Sequence, residues 1–417
     1  TAALEKQVAD ERIQGKDAQA SEQLLASSKG EYQRVVADLR RSHPQYEGAM
    51  AVRPVAFLEL KKSIPADTTA VLYFVSDDGI YSFVASQQGD LKIHKVAVDP
   101  KELEKSVLRV RQLINLFPHD PALGAHPEAF RWNDPASPGY QRQSLPLKTE
   151  LARLDKWLID PIQADLGSRP VLAIVPTGVL HYVPFPALCS LDAAGNPKFL
   201  AENFQCVNLV KTSDLVPVAG GTQGQKLFAM GNPDGSLPGA EREVNSITAS
   251  FPQSQKAVGK EATASRLKKL EAGTGYVHLA THGQLSEADP KNSYLVMAGT
   301  GDSAHFRATD IYDLDWQGVR LVTLSACKTA LQEGKPGAAI TSLAEAFRVA
   351  GGHSVVASLW SVEDNATEEL MVEFYKQLAE GKSLAAALQS SERSLSAQPR
   401  YSHPFFWAAF TLFGDWR

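Results

Sequence analysis

Two short stretches of this chain hold the residue types that nucleophilic catalysis needs. YVHLATHGQ, residues 276–284, sets His282 directly before Gly283, and LVTLSACKT, residues 321–329, ends its apolar run on Ser325-Ala326-Cys327. A free thiol with a pKa of about 8.5 is mostly protonated at pH 7, and a neighbouring imidazole raises its thiolate fraction. Cys327 is therefore the candidate nucleophile and His282 its acid and base. Acyl transfer also builds an oxyanion, which needs backbone donors that approach without a side chain in the way; the N–H groups of Gly283 and Cys327 are the candidates. Residue type alone favours the opposite reading, because free cysteine most often packs as a small hydrophobe. Position has to decide between them.

Both residues follow β-favouring apolar runs. Strands are predicted at 227–230, 276–280, 294–297, 321–324, 355–359 and 408–413, with helices at 239–251, 263–271, 341–350, 365–380 and 383–397. Short apolar strands alternating with helices describe a mostly parallel sheet covered on both faces. In such sheets ligands bind beyond the carboxyl ends of the strands, where His282 and Cys327 fall. Their separation leaves room for the hairpin segment SYLVMAG before the next core strand, so the two strands can be sheet neighbours.

Other candidates are weaker. His278 lies mid-strand among Val277, Leu279 and Ala280 and reads as a core residue, and His305, His353 and His403 are treated alike. His181, after a Pro-Thr-Gly turn, has no acidic or cysteine neighbour close in sequence and is assigned no chemistry. Asp310, Asp313 and Asp315 lack the glycine and bidentate glutamate of a calcium loop and fit a helical turn with acids near its start. GNPDGSLPGAERE, residues 231–243, is rich in glycine but has neither dinucleotide nor P-loop spacing. No metal and no cofactor is expected.

Upstream, residues 1–45 are rich in helix formers and suit the end of a helical-repeat array. AVLYFVSDDGIYSFVAS is a hairpin around Asp77-Asp78-Gly79, and helices are predicted at 101–117 and 147–166. RPVLAIVPTGVLHYVPFPAL reads as a strand, a turn and an extended run broken by prolines. The Gly-rich connector VPVAGGTQGQK, 216–226, marks the best boundary, giving sheet-bearing units at 50–217 and 218–417.

The 417 residues exceed what one hydrophobic core usually serves. A net charge of −5 with 44 % hydrophobic residues fits a globular chain and gives no basic surface for nucleic acid. Three cysteines, without a CxxC pair, favour a reducing compartment such as the cytoplasm over a disulfide framework. No apolar run long enough to span a membrane is present, and the charged start TAALEKQVADERIQGK is unlike a signal peptide. A chain that starts at Thr1 without methionine points to a longer parent.

In order along the chain, LFAMGNP, LPGAEREV, VHLATHG, LVTLSACKT, VVASLWSVEDNAT and HPFFWAAFTLFGDW resemble the successive blocks of the CHAT domain, a branch of the caspase-like, separase-related cysteine peptidases. The resemblance implies an α/β fold with a caspase-like, mostly parallel sheet, preceded by a pseudo-protease half and often by tetratricopeptide repeats. It implies a dyad of His282 and Cys327, an oxyanion site at Gly283 and Cys327, and a substrate pocket with Trp360, Glu363 and Asp364. Such a pocket would hold a basic side chain, since a carboxylate pairs well with Arg or Lys. The other role open to Asp364 is to cap the helix starting near Asn365. The partners implied are a protein substrate and an activating protein or complex, in some relatives within bacterial defence. The loop KTALQEGKPGAA after Cys327 would then switch activity. A different class of function, an interaction module that kept the fold and suppressed its activity, fits the same residues, and a small-molecule esterase or amidase would use the same dyad.

Overall fold

The computed structural model describes residues 57–120, 130–137, 139–216, 224–286, 289, 292–325, 327–328 and 338–417, together with 11, 19–21, 23–28 and 30. The chain forms two units, Thr1–Pro54 and Val55–Arg417. In the first, the described residues are helical, and the rest of the expected 1–45 segment lies outside the described residues.

The second unit opens with a short helix, Phe57–Ser63, and then a hairpin. Thr68–Ser76 (β1) and Gly79–Ser86 (β2) pair antiparallel as the Asp77-Asp78-Gly79 signal predicts, with Ser76 opposite Gly79. Gly79 holds φ +141°, and a Cβ there would sit 2.2 Å from the Val96 carbonyl oxygen, so both the turn and the neighbouring strand Lys92–Val96 (β3) require glycine. Helix Pro100–Leu116 (α1) is capped by Asp99, whose carboxylate accepts the Lys101 N–H at 2.8 Å. Helix Ser144–Leu158 (α2) packs against it. Strand Val171–Val175 (β4) follows, then a small separate hairpin of Cys189–Leu191 (β5) and Pro197–Phe199 (β6), then Gln205–Asn208 (β7). The extended run expected after β4 is instead two 3₁₀ turns, Gly178–Tyr182 and Phe185–Ala187. Pro184 and Pro186 have no N–H to give a ladder, and the turns satisfy the remaining groups locally.

The second half mixes strands and helices, in the order Lys226–Gly231 (β8), Pro238–Ser250 (α3), Ser254–Val258 (β9), Thr274–Ala280 (β10), Gly283–Gln284 (β11), Tyr294–Val296 (β12), His305–Arg307 (β13), Leu321–Leu324 (β14), Cys327–Lys328 (β15), Ala338–Val349 (α4), Ser354–Ser358 (β16), Asp364–Ala379 (α5), Leu384–Ser396 (α6) and Phe410–Gly414 (β17). One predicted helix differs, and the strands β9, β11, β13 and β15 have no predicted counterpart. The helix expected at 263–271 is a single turn, Ala264–Leu267, and β9 is a polar edge strand whose sequence SQKAV lacks an apolar run.

Among the described residues, eleven strands form one sheet in the order β3-β2-β1-β4-β7-β17-β16-β14-β10-β8-β9. The strands of 68–208 fill one half and those of 226–414 the other; they meet where Asn208 pairs in parallel with Phe413. The units expected at 50–217 and 218–417 are thus halves of one sheet. Every residue of β4, β10, β14, β16 and β17 is buried, as strands covered on both faces must be. Helix α3 packs on β8, β9 and β10 and against α5, which in turn packs on α6. Among the described residues no helix is long and apolar enough to cross a membrane.

Candidate active site

Strands β8, β10, β14 and β16 are parallel neighbours, with Ala280 level with Gly231, Leu279 with Leu324, and Leu324 with Ala357. Their carboxyl ends therefore form one edge. The strands bearing His282 and Cys327 are adjacent, as the spacing allows. Beyond the main sheet they pair again: β11 runs parallel to β15, with Gly283 in register with Cys327 and Gln284 with Lys328. Neighbouring strands lie about 4.8 Å apart, so the Gly283 and Cys327 backbones flank the same short gap. Cys327 and Lys328 are described through this strand backbone, while Ala326 and the segment 329–337 lie outside the described residues.

The His282 backbone is held from the other side. Its carbonyl accepts the Val296 N–H at 2.8 Å, and Thr281 Oγ1 donates to the Val296 carbonyl at 2.7 Å. The half-buried imidazole faces a cavity of about 260 Å³. Around it stand Gly239 and Glu243 from α3, Ser325 after β14, Trp360 after β16, and Asp364 at the start of α5. Trp360 is buried and donates its indole N–H to the Phe405 carbonyl at 2.9 Å. The preceding residue, Leu359, accepts from Arg111 of α1 at 3.1 Å, and that guanidinium lies over the Tyr182 ring at 4.2 Å. Helix α1 and the turn that holds Tyr182 thus buttress the cavity wall.

Of the residues expected to bind substrate, Trp360 and Asp364 line the cavity and Glu363 does not. Of the two roles open to Asp364, capping belongs to Glu363. Its backbone is extended at φ −66°, ψ 137°, and its carboxylate accepts from Ala366 N at 3.0 Å and from Asn365 Nδ2 at 2.7 Å. Asp364, the first helical residue, is exposed and left free for other contacts. It lies against Gly239 so closely that a Cβ on that glycine would come 2.1 Å from its Oδ2. Gly239 is what admits Asp364 to the mouth of the cavity.

Three participants lie in the Gly-rich stretch 231–243, to which the sequence assigns no role. Glu243, on the same face of α3 as Gly239 four residues earlier, is 3 % exposed. Its Oε1 is 3.0 Å from His278 Nε2 without hydrogen-bond alignment, and its Oε2 accepts from Ser325 Oγ at 3.2 Å. His278 is fully buried as expected, with its ring edge-on to Tyr375, whose hydroxyl donates to Thr323 Oγ1 at 2.9 Å. Ser236 and Asp234 sit on the loop after β8; Ser236 Oγ is 2.8 Å from His282 Nε2 and 2.7 Å from Asp234 Oδ1. The carboxyl-end rule that selects His282 applies equally to β8, the other neighbour of β10, and would have pointed to this loop.

The remaining candidates stand apart. Burial pulls the His181 pKa down to about 4, as suits a histidine kept neutral. Asp310 accepts the Arg307 N–H at 2.8 Å, an acid at a helix start. His305, His353 and His403 do not line the cavity, and among the described residues no three His, Cys, Asp or Glu side chains gather as a metal ion requires.

The sequence profile of the CHAT domain matches residues 148–415. Tetratricopeptide repeat protein 28 of Mus musculus is 26 % identical over 338 residues, covering 66 % of this chain and 14 % of that protein. Its Homo sapiens counterpart is 26 % identical over 337 residues, covering 66 % and 13 %. The chain therefore spans about a seventh of these curated relatives. Two solved structures of the Saccharomyces cerevisiae separase–securin complex share the fold. In one, the likeness covers 85 % of this chain and 30 % of the other at 12 % identity and TM-score 0.53; in the second it covers 91 % and 31 % at 11 % identity and TM-score 0.52.

Proposed function

The chain belongs to the CHAT domain family, and on that footing we propose that it is a cysteine endopeptidase acting through Cys327 and His282. The observation that carries the reading is the parallel register of Gly283 with Cys327 beside a cavity that His282 and Asp364 both line.

In this reading His282 takes the Cys327 proton, and the thiolate adds to the carbonyl carbon of the scissile peptide bond. The N–H groups of Gly283 and Cys327 hold the oxyanion; one such donor supplies about 3 to 4 kcal/mol of barrier lowering. The imidazolium then protonates the leaving amine as the C–N bond breaks, leaving a thioester. Water, deprotonated by His282, hydrolyses the thioester, and the thiol regains its proton.

The substrate is a protein with Arg or Lys before the scissile bond. Asp364 supports this, as a carboxylate with no capping duty at the cavity mouth. A partner regulates the enzyme through the loop sequence KTALQEGKPGAA that follows Cys327. The separase chains to which this fold is similar were solved with securin, which supports partner control as a mode open to such a chain. Cytoplasmic location and service in a bacterial defence system belong to the same reading.

Peptide-library cleavage by the intact chain, with and without candidate partners, tests it. Cuts after basic residues that disappear in Cys327→Ala are expected; cuts only after apolar residues would remove the specificity. A second reading, an interaction module with suppressed activity, is favoured by the names of the curated relatives, which identify them as tetratricopeptide repeat proteins. A chain that binds partners but never cleaves would support it.

A further inference from the structure

The loop joining β8 to α3 is built to present one hydroxyl to His282. Asn232 takes φ +52°, unusual for a residue with a side chain, and Gly235 takes φ +80°. The Asn232 N–H donates to the Ala280 carbonyl at 3.1 Å, tying the loop to the end of β10, two residues before His282. Asn232 Oδ1 accepts from Leu237 N at 2.8 Å, and its Nδ2 donates to Glu241 Oε2 at 3.2 Å. These bonds close the turn around Asp234-Gly235-Ser236. Asp234 Oδ1 then accepts from both Ser236 N, at 3.0 Å, and Ser236 Oγ, at 2.7 Å, while Ser236 Oγ meets His282 Nε2 at 2.8 Å.

Proton counting gives this chain a direction. A serine hydroxyl has one hydrogen, and an ionised carboxylate can only accept. Ser236 must spend its hydrogen on Asp234, so its oxygen is an acceptor toward the imidazole. His282 must then carry its proton on Nε2, which leaves the lone pair on Nδ1. Partial burial pulls the Asp234 pKa upward, but bonds from the Ser236 hydroxyl and amide and the nearby His282 outweigh it, so the carboxyl sits below its usual range and is ionised at neutral pH. Among the described residues, the other acids that line the cavity with His282 are Glu243 from α3 and Asp364 from α5, and neither is bonded to the ring.

We propose that Asp234 and Ser236 are positioning residues that hold His282 as the Nε2–H tautomer, making Nδ1 the nitrogen that exchanges a proton with the Cys327 thiol. The role of Nδ1 rests on the peptidase reading; the tautomer does not. The same relay stabilises the imidazolium once Nδ1 is protonated, because the positive ring then faces a hydroxyl oxygen backed by a carboxylate.

Nitrogen-15 NMR of the histidine-labelled full chain tests the tautomer directly, with the His282 signals identified among ten histidines by their loss in His282→Ala. Wild type is expected to show a protonated Nε2 and a pyridine-like Nδ1. In Asp234→Ala the freed hydroxyl can donate to the ring, so the population shifts toward Nδ1–H although Ser236 remains. Ser236→Ala loses the preference, and Ser236→Thr restores it. On a cleaved peptide, kcat is expected to fall about tenfold in Asp234→Ala and Ser236→Ala with KM little changed, and to recover in Ser236→Thr. A wild-type ring protonated on Nδ1, or a tautomer unmoved by both alanine variants, would overturn the relay. If no peptide is cleaved by any form, the peptidase reading fails while the NMR result still decides the relay.

Discussion

Gly239 and Asp364 touch across 125 positions of sequence, the glycine on the first turn of α3 and the acid on the first residue of α5, with no room for a methyl group between them. A Cβ at 239 would meet the Oδ2, Cγ and Cβ atoms of Asp364 at 2.1, 2.3 and 2.5 Å, so a larger residue must displace the whole side chain. Gly239→Ala is expected to act as a specificity variant. Its kcat/KM for peptides with Arg before the scissile bond should fall about tenfold or more, and Asp364→Asn should fall similarly, as the loss of a charge-assisted bond worth roughly 1.5 to 3 kcal/mol implies. Both should retain more activity on uncharged peptides than on basic ones. Equal losses on all peptides would detach Asp364 from recognition.

Glu243 carries a stability prediction. Its carboxylate and the His278 imidazole are buried 3.0 Å apart beneath the site, and Ser325 adds a hydroxyl. Removing one member of such a group strands the others away from water. Glu243→Ala is expected to lower unfolding free energy by about 3 kcal/mol or more, and Glu243→Gln by less, read from urea titrations at constant m-value. In a double-mutant cycle with His278→Ala the two losses should be less than additive.

Asp155, buried on α2, gives a pH dependence in the other half of the sheet. Burial, then the charge of Asp160, raises its pKa to about 7. The unfolded chain releases this proton near the ordinary aspartate pKa of about 4, so between pH 4 and 7 the folded state holds more protons than the unfolded state. Stability from this group is therefore complete below about pH 4 and is lost as pH rises toward 7. Asp155→Asn should match wild type near pH 4 and exceed it in denaturant midpoint at pH 8. A variant less stable than wild type at pH 8 would show that the buried carboxylate has a partner worth more than its desolvation.

The sequence carries the sheet and its reactive edge because the strands are apolar runs of ordinary length, bounded by turns and separated by helical patterns. Leu321–Leu324 and the hairpin at Asp77-Asp78 are visible for that reason. β9 is hidden, since an edge strand with polar residues has no apolar signal, and the 3₁₀ turns around Pro184 are hidden because β-favouring residues there outvote the prolines. At the site, His282 and Gly283 stand out by chemistry. Ser236, Gly239 and Glu243 do not, because each acts only through a residue brought to it by packing of the loop and α3 on β10 and α5. Glu363 and Asp364 are adjacent acids, and which one caps α5 turns on one residue's backbone angles rather than on residue type.

Cys327 is the centre of the proposed chemistry. The most direct measurement is cleavage of a basic-residue peptide library by the wild-type chain, with Cys327→Ala and His282→Ala in parallel, and mass analysis for a thioester on Cys327 in a rapidly quenched reaction. The predicted result is cleavage that drops by roughly 10⁴-fold in either variant, with the acyl group found on Cys327 in wild type alone. Cleavage that persists in both variants, or an acyl group on any other residue, would contradict it.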